Sequence, residues 1–270
     1  MKLTLAYSPC PNDTFMFHGI ASGALQIAGH EIEIHLHDIE TLNQQALRGV
    51  YDLTKLSFHA WLLARGTYRI LNAGAAMGYG CGPIIVAKAD GRSLPDARAV
   101  AASRVAIPGE LTTAHLLFRL WAPEARNKIF MTYDRIMPAV TGAEAEFGVI
   151  IHESRFTYEQ AGLRKVVDLG DWWERITGLP VPLAGIAVRR DIGAGVAKQF
   201  ETLLRRSIAN ARANPDAAMR YAHEHAQELD DAVLRKHIEM FVNEYSLDTD
   251  ATARNAVRTL ETMAERIGLG

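Results

Sequence analysis

The sequence predicts an α/β protein built as two lobes facing across a cleft, followed by a helical C-terminal segment, and three observations predict it. Short β-type runs alternate with helical ones as far as Arg189, the pattern of packed α/β layers. Two stretches of turn-forming composition, residues 89–98 and 178–183, read as crossings of the chain between units. From Gly193 onward the apolar spacing is helical only. Residues 1–88 plus 184–270 are therefore expected to form a large, discontinuous lobe and residues 89–183 a small one.

Taken in order, residues 3–7 are apolar enough for a buried first strand, and Ser8-Pro9-Cys10-Pro11 turns the chain into a helix over residues 14–22 capped by Asn12 or Asp13. Residues 31–36 alternate polar and apolar as a half-exposed strand does, and a helix carrying Leu42, Ala46 and Leu47 on one face follows. Strands are expected at residues 52–57, 68–72 and 83–88, with a helix at 58–65. In the second unit residues 104–107, 128–133, 147–151 and 165–169 read as strands and 111–121 as a helix. Residues 184–189 form a strand rejoining the first unit, and the tail helices break near Asn214-Pro215 and Ser246-Leu247-Asp248. Largely parallel pairing is the expectation for such alternation. One unit interrupted by another is the layout of the type II periplasmic-binding-protein-like fold, in which hinge closure traps a small ligand.

Composition narrows the function. The chain has 270 residues, 49% hydrophobic and 22% charged, with a formal charge of −2 and no basic cluster, so no nucleic-acid footprint. The apolar start at residues 3–7 is too short for a signal-peptide core, and no run approaches a membrane span, so a cytoplasmic protein without a membrane partner is expected. Two cysteines, Cys10 and Cys81, suggest neither a disulfide framework nor a zinc site.

The sharpest local signal is Phe147-Gly148-Val149-Ile150-Ile151, a charge-free run ending in His152. A buried strand presents its first polar group at its carboxyl end, where open α/β sheets bind ligands. A histidine there can titrate near neutrality and act as a general base; equally, it can be a hydrogen-bonded structural histidine. Each unit also has a strand, a turn and a helix start suited to oxyanions: Asn12-Asp13-Thr14, and Gly109-Glu110-Leu111-Thr112-Thr113-Ala114. Lys55 and Ser57 share a strand face by the two-residue period, which suits Ser57 to the cleft, although a lone lysine on a strand is commonly solvated. His35 and His37 also share a face but have no acidic or cysteine partner at matching spacing, and His223 and His225 diverge on a helix, so no metal site is expected. Cys10, with no base evident beside it in sequence, reads as a packed thiol, and Trp172 and Trp173 as core. Gly74, Gly78, Gly80 and Gly82 match neither nucleotide-binding fingerprint.

Several motifs together resemble a known family. They are Ser8-Pro9-Cys10-Pro11-Asn12-Asp13-Thr14-Phe15, Leu53-Thr54-Lys55-Leu56-Ser57, the Thr-Thr-Ala of residues 109–114, Ile150-Ile151-His152-Glu153-Ser154-Arg155-Phe156-Thr157-Tyr158, and Asp168-Leu169-Gly170 with Trp172-Trp173-Glu174. The chain is similar, nearly end to end, to the 1,4-dihydroxy-6-naphthoate synthases of menaquinone biosynthesis through futalosine. The resemblance implies a carbon–carbon lyase acting on cyclic dehypoxanthine futalosine, a small-molecule carboxylate, with His152 as catalytic base. It implies substrate contacts at Lys55, Leu56, Ser57, Thr113 and Ala114, and no metal or other cofactor. Two rivals share the architecture. A solute-binding protein would call for an export signal, and the chorismate dehydratase of the same pathway is disfavoured by the His-Glu-Ser block.

Overall fold

The computed structural model describes residues 2–91, 93–226 and 230–269. The chain runs β1 (Lys2–Tyr7), α1 (Pro11–Ala21), β2 (Glu31–Leu36), α2 (Ile39–Leu47), β3 (Leu53–Ser57), α3 (Phe58–Ala64), β4 (Tyr68–Ile70) and β5 (Ala76–Gly78). It continues through β6 (Ile84–Lys88), α4 (Ala97–Ala102), β7 (Val105–Ile107), α5 (Thr113–Trp121), β8 (Lys128–Phe130), α6 (Tyr133–Thr141) and β9 (Phe147–Ile150). Then come α7 (Ser154–Thr157), β10 (Leu163–Asp168), α8 (Leu169–Thr177) and β11 (Val181–Arg189). The tail is α9 (Ala194–Ala213), α10 (Pro215–His225), α11 (Asp231–Phe241), α12 (Glu244–Leu247) and α13 (Ala251–Arg266).

Two sheets result. The first is ordered β2-β1-β3-β11-β4, with β5 also paired to β11; the second is ordered β10-β6-β9-β7-β8. Pairing is mixed rather than largely parallel. β1 runs parallel to β2 and β3, and β7 parallel to β8 and β9. β11 is antiparallel to β3, β4 and β5, and β6 antiparallel to β9 and β10. The antiparallel strands β6 and β11 are the two by which the chain passes from one sheet into the other, β6 following β5 directly and β11 following α8.

The expected first boundary at residue 88 is corrected by these pairings. β6, assigned from sequence to the large lobe, is hydrogen-bonded in the second sheet, with Ile84 opposite Ile150 on one side and Asp168 on the other. The run Ile84-Ile85-Val86-Ala87 is apolar enough for either sheet, so only pairing partners decide its place. The crossing precedes it, at Cys81-Gly82-Pro83, and β11 begins at Val181 rather than Ala184. Part of the expected 89–98 crossing belongs to α4, whose N-cap Asp96 accepts from the Ala99 N–H at 2.8 Å. Gly82 meets Gly170 at the first crossing: a Cβ on Gly82 would sit 2.3 Å from the Gly170 Cα. Only glycines let these two backbones pass.

α1 starts at Pro11 instead of residue 14, because Pro at the first helical position has the right φ and no N–H to leave unpaired. The first core packs Leu5, Tyr7 and Leu53 against Phe17 of α1 and Phe200, Leu204 and Ile208 of α9. A second apolar cluster joins Val105, Val149, Phe118 and Leu169 to Phe58, Val181 and Leu260, so side chains from both sheets and from α13 share one core. Trp173 belongs to it and is fully buried, its indole N–H donating to the Pro180 carbonyl at 3.0 Å, as the core reading of that residue expects. No helix among the described residues is long and apolar enough to cross a membrane.

α3 and α5 meet through two buried histidines. His59 Nδ1 donates to the Thr112 carbonyl at 3.2 Å and His115 Nδ1 to the Glu110 carbonyl at 2.7 Å, while burial lowers each pKa to about 4. Unfolded, each ring takes up a proton near pH 6.5; folded, it stays neutral until about pH 4. The unfolded state therefore binds more protons in this window, and stability falls as pH drops. Each ring is expected to remove about 2 kcal/mol between neutrality and pH 5. Urea unfolding at pH 7 and pH 5 measures this loss, and a leucine at either position should remove that ring's share of it; a flat wild-type profile would contradict the assignment.

Candidate active site

A cleft between the two sheets holds about 590 Å³ of space free of protein atoms, its mouth included, and Lys55, Ser57, Thr113, Ala114 and His152 all line it. The fold thus brings together five of the six residues singled out from sequence. Leu56 is the exception. Alternation along β3 turns its side chain to the opposite face, where it packs with Ala46, Ala64, Tyr68 and Ala187.

The floor begins with β3, which is buried at every position. Lys55 is not solvated: it is 4% exposed, and its Nζ lies 2.6 Å from Asp13 Oδ2. The same carboxylate accepts from the Ser8 hydroxyl at 2.6 Å, the Ser8 N–H at 3.2 Å and Asn12 Nδ2 at 2.9 Å. The Asn12-Asp13-Thr14 start therefore uses its acid to hold a lysine, which in turn offers the cleft a positive charge for a carboxylate. Ser57 Oγ accepts from Asn43 Nδ2 at 3.0 Å, and the Ser57 N–H donates back to Asn43 Oδ1 at 3.0 Å. With its oxygen accepting there, the Ser57 O–H is left to donate into the cleft. Ser57→Ala is expected to raise KM by roughly 5- to 150-fold, the equivalent of about 1–3 kcal/mol for a lost hydrogen bond, and to lower the unfolding midpoint as well, because the buried Asn43 amide loses its acceptor. Unaltered KM and kcat would remove Ser57 from the site.

The second helix start differs in detail from the expectation. Thr112 is the N-cap of α5 and accepts from the His115 N–H at 3.2 Å. The Thr113 hydroxyl donates to the Leu183 carbonyl at 2.6 Å and accepts from the His59 N–H at 3.3 Å, so it ties α5 to β11 and α3. What Thr113 and Ala114 present to a ligand are first-turn N–H groups, which have no acceptor within the helix. Just before the helix, Gly109 has φ 106°, and Glu40 packs against it and accepts from the Leu111 N–H at 3.0 and 3.2 Å. A carboxylate from α2 thus fills part of the anion site read at residues 109–114, and burial raises its pKa.

His152 stands opposite. β9 ends at Ile150, and His152 has φ 57°, a left-handed conformation that costs a non-glycine residue energy and recurs at functional sites. Its ring packs edge-on to Tyr133 at 4.9 Å between centroids and lies 6.2 Å from the ring of His237. Cys10 Sγ is 3.5 Å from His152 Nδ1 and 3.7 Å from Nε2. So Cys10, although it packs as a buried thiol, does have a histidine beside it, brought from 142 residues away. Burial, partly offset by Lys55, pushes the thiol up to about 12, which keeps it protonated and poorly nucleophilic. Dense surroundings, then Lys55 and His237, lower the His152 pKa well below 6.5, so at neutral pH the ring carries the free lone pair a base requires. Titration near neutrality, expected from sequence, is displaced by that burial. Arg155 secures the turn: its Nη2 donates to the Gly80 carbonyl at 2.8 Å and Asp168 Oδ2 at 2.9 Å, and its Nη1 to the Gly82 carbonyl.

Sequence reasoning missed Arg155 as a brace and His237 entirely. His237 comes from α11 in the tail, and its one signal is a histidine on the buried face of an amphipathic helix. His35 does have an acidic neighbour at the two-residue spacing, contrary to the sequence reading: it lies 3.4 Å from Glu33, while His37 hydrogen-bonds the Tyr51 hydroxyl at 2.8 Å.

Residues 3–266 match the family model for menaquinone biosynthesis. The chain belongs to that family. It is 45% identical over 267 residues to a 1,4-dihydroxy-6-naphthoate synthase of Thermus thermophilus, covering 99% of this chain and 95% of that protein. A protein of the same name from Streptomyces coelicolor is 39% identical over 272 residues, covering 99% and 94%. Among solved structures, protein AF1704 of Archaeoglobus fulgidus superposes with a TM-score of 0.93 at 39% identity, over 100% of this chain and 98% of the other. The alkanesulfonate-binding protein SsuA of Xanthomonas axonopodis gives 0.74 at 12% identity, over 99% and 93% of the two chains, and at that distance shows the fold alone. The fold is therefore the periplasmic-binding-protein-like one expected from the element order, here in a menaquinone-biosynthesis protein.

Proposed function

We propose that this protein is a cytoplasmic 1,4-dihydroxy-6-naphthoate synthase, a lyase that releases 1,4-dihydroxy-6-naphthoate from cyclic dehypoxanthine futalosine with His152 as general base. The observation that carries the reading is His152 itself: an imidazole held neutral, in a left-handed backbone conformation, at the wall of a cleft whose other side offers Lys55 and Ser57. In this reading the substrate carboxylate lies toward Lys55 and the first-turn N–H groups of Thr113 and Ala114. Ser57 donates to a substrate oxygen. His152 accepts a proton from a sugar-derived hydroxyl or the adjacent C–H, and the electron pair released drives a retro-aldol-type break of the neighbouring C–C bond. The proton then leaves with the sugar-derived fragment, and aromatisation of the bicyclic product draws the reaction forward. The first sheet with the helical tail forms one lobe and the second sheet the other, and their closure keeps water from the intermediate.

Incubation of purified protein with cyclic dehypoxanthine futalosine, followed by product mass, tests this reading. A solute-binding protein would bind without forming product, and a chorismate dehydratase would turn over chorismate instead. The proton chemistry involves no net redox change, so turnover is expected to survive exhaustive chelation and dialysis. Loss of activity restored by a divalent ion would overturn the metal-independent mechanism.

A further inference from the structure

We propose that His152, Glu153 and His237 form a binding site for a divalent cation of the zinc class, and that a cation held there blocks the base. One ligand atom from each of the three lies within 4.8 Å of the others. His237 decides the chemistry. Its side chain is 0% exposed, and its Nε2 is 3.0 Å from Asn12 Oδ1. Asn12 Nδ2 is committed to Asp13 Oδ1 at 2.9 Å, which fixes the amide so that its oxygen faces His237. Nε2 of His237 therefore carries the proton and donates it, and Nδ1 carries the lone pair. That Nδ1 has no hydrogen-bond partner among the described residues, and it points at Glu153 Oε2, 4.0 Å away.

A buried lone pair facing a carboxylate oxygen makes a place for a positive charge. A dication suits the gap. Two imidazoles and a carboxylate are a common three-ligand set for zinc, leaving a fourth position open to the cleft. The Asn12 contact is the hydrogen bond by which ligating histidines are usually oriented. Lys55 is the cation nearby, and its charge is balanced by Asp13 at 2.6 Å, while Arg155 is balanced by Asp168 at 2.9 Å. Tetrahedral zinc with bonds of about 2.0–2.1 Å needs ligand atoms about 3.4 Å apart, so the set must contract by roughly an ångström. His152 and Glu153 sit in the short turn between β9 and α7, where that adjustment falls, while His237 is fixed on α11.

Metal binding stands independently of the activity reading; inhibition rests on it. The full-length protein, stripped with chelator, is titrated with zinc by calorimetry and with cobalt by visible absorption, alongside thermal unfolding and turnover. One equivalent is expected to bind in the micromolar range or tighter, raising the unfolding midpoint and producing a tetrahedral cobalt spectrum. Turnover is expected to fall along the zinc binding curve. Glu153→Gln, which keeps the shape, and His237→Leu should each weaken binding at least ten-fold. Circular dichroism confirms that the variants are folded, and if His237→Leu is not, Glu153→Gln alone decides. Absence of saturable zinc binding, or equal affinity in Glu153→Gln, would overturn the site. Stoichiometric binding with undiminished turnover would overturn the block. Binding by a protein that shows no lyase activity would leave the site standing and count against the activity reading alone.

Discussion

His152→Asn is expected to lower kcat by about 10²- to 10⁴-fold, the range for a lost general base, with KM little changed. Asparagine suits the test because it tolerates the left-handed backbone that His152 adopts at φ 57°, so the turn after β9 should persist. His152→Ala removes the ring as well, and its loss should be at least as large, with some destabilisation from the strained φ. Single-turnover kinetics isolates the chemical step, and unchanged circular dichroism and unfolding midpoint show that the fold survives. Near-full turnover by either variant would take the base role away from His152 and direct attention to His237.

The largest expected effect on stability is at Asp13. Its carboxylate is fully buried and holds the Lys55 ammonium at 2.6 Å, with Ser8 and Asn12 completing its hydrogen bonds. Asp13→Ala leaves a charged lysine, 4% exposed, without its counter-ion. Removing one partner of a buried pair costs about 3–5 kcal/mol, because the remaining charge is neither solvated nor compensated. Denaturant unfolding should register that loss. Lys55→Met in the same background should recover part of it, since the uncompensated charge then disappears; the double-mutant cycle reads the coupling. A single-variant loss under about 1 kcal/mol would mean that water or a shifted proton rescues Lys55 and that the pair is not the anchor of the cleft floor.

Much of the fold is legible in the residues. The strands at β1, β2, β3, β7 and β9 follow from apolar runs and period-two alternation. α5 begins at Thr113, two residues after the start expected at 111, with Thr112 as its cap, and Pro215 opens α10 as a first-turn proline should. Less legible were the short elements. β5 is a three-residue strand too brief to show a period, and α6 carries Pro138 inside a helical span that a pattern reading would end there. β6 was read as a strand but given to the other sheet.

The site divides in the same way. Local sequence placed His152 at a strand end, Ser57 on the face of Lys55, and Thr113 and Ala114 at a helix start, because each of these facts depends on a period or a cap within a few residues. Strand alternation by itself also separates Leu56 from its neighbours. Tertiary structure alone decided the rest. It set Asp13 against Lys55 across 42 positions, Cys10 against His152 across 142, and Asn12 against His237 across 225. It also placed Glu40 on the helix start that the motif had offered to a ligand. Burial, which no local pattern measures, turned a lysine expected in water into the charge of the cleft and lowered the pKa of His152. Periodicity and capping act over one turn or one strand, whereas partner choice, desolvation and charge balance are set by whichever distant segments the packed core brings within a few ångströms.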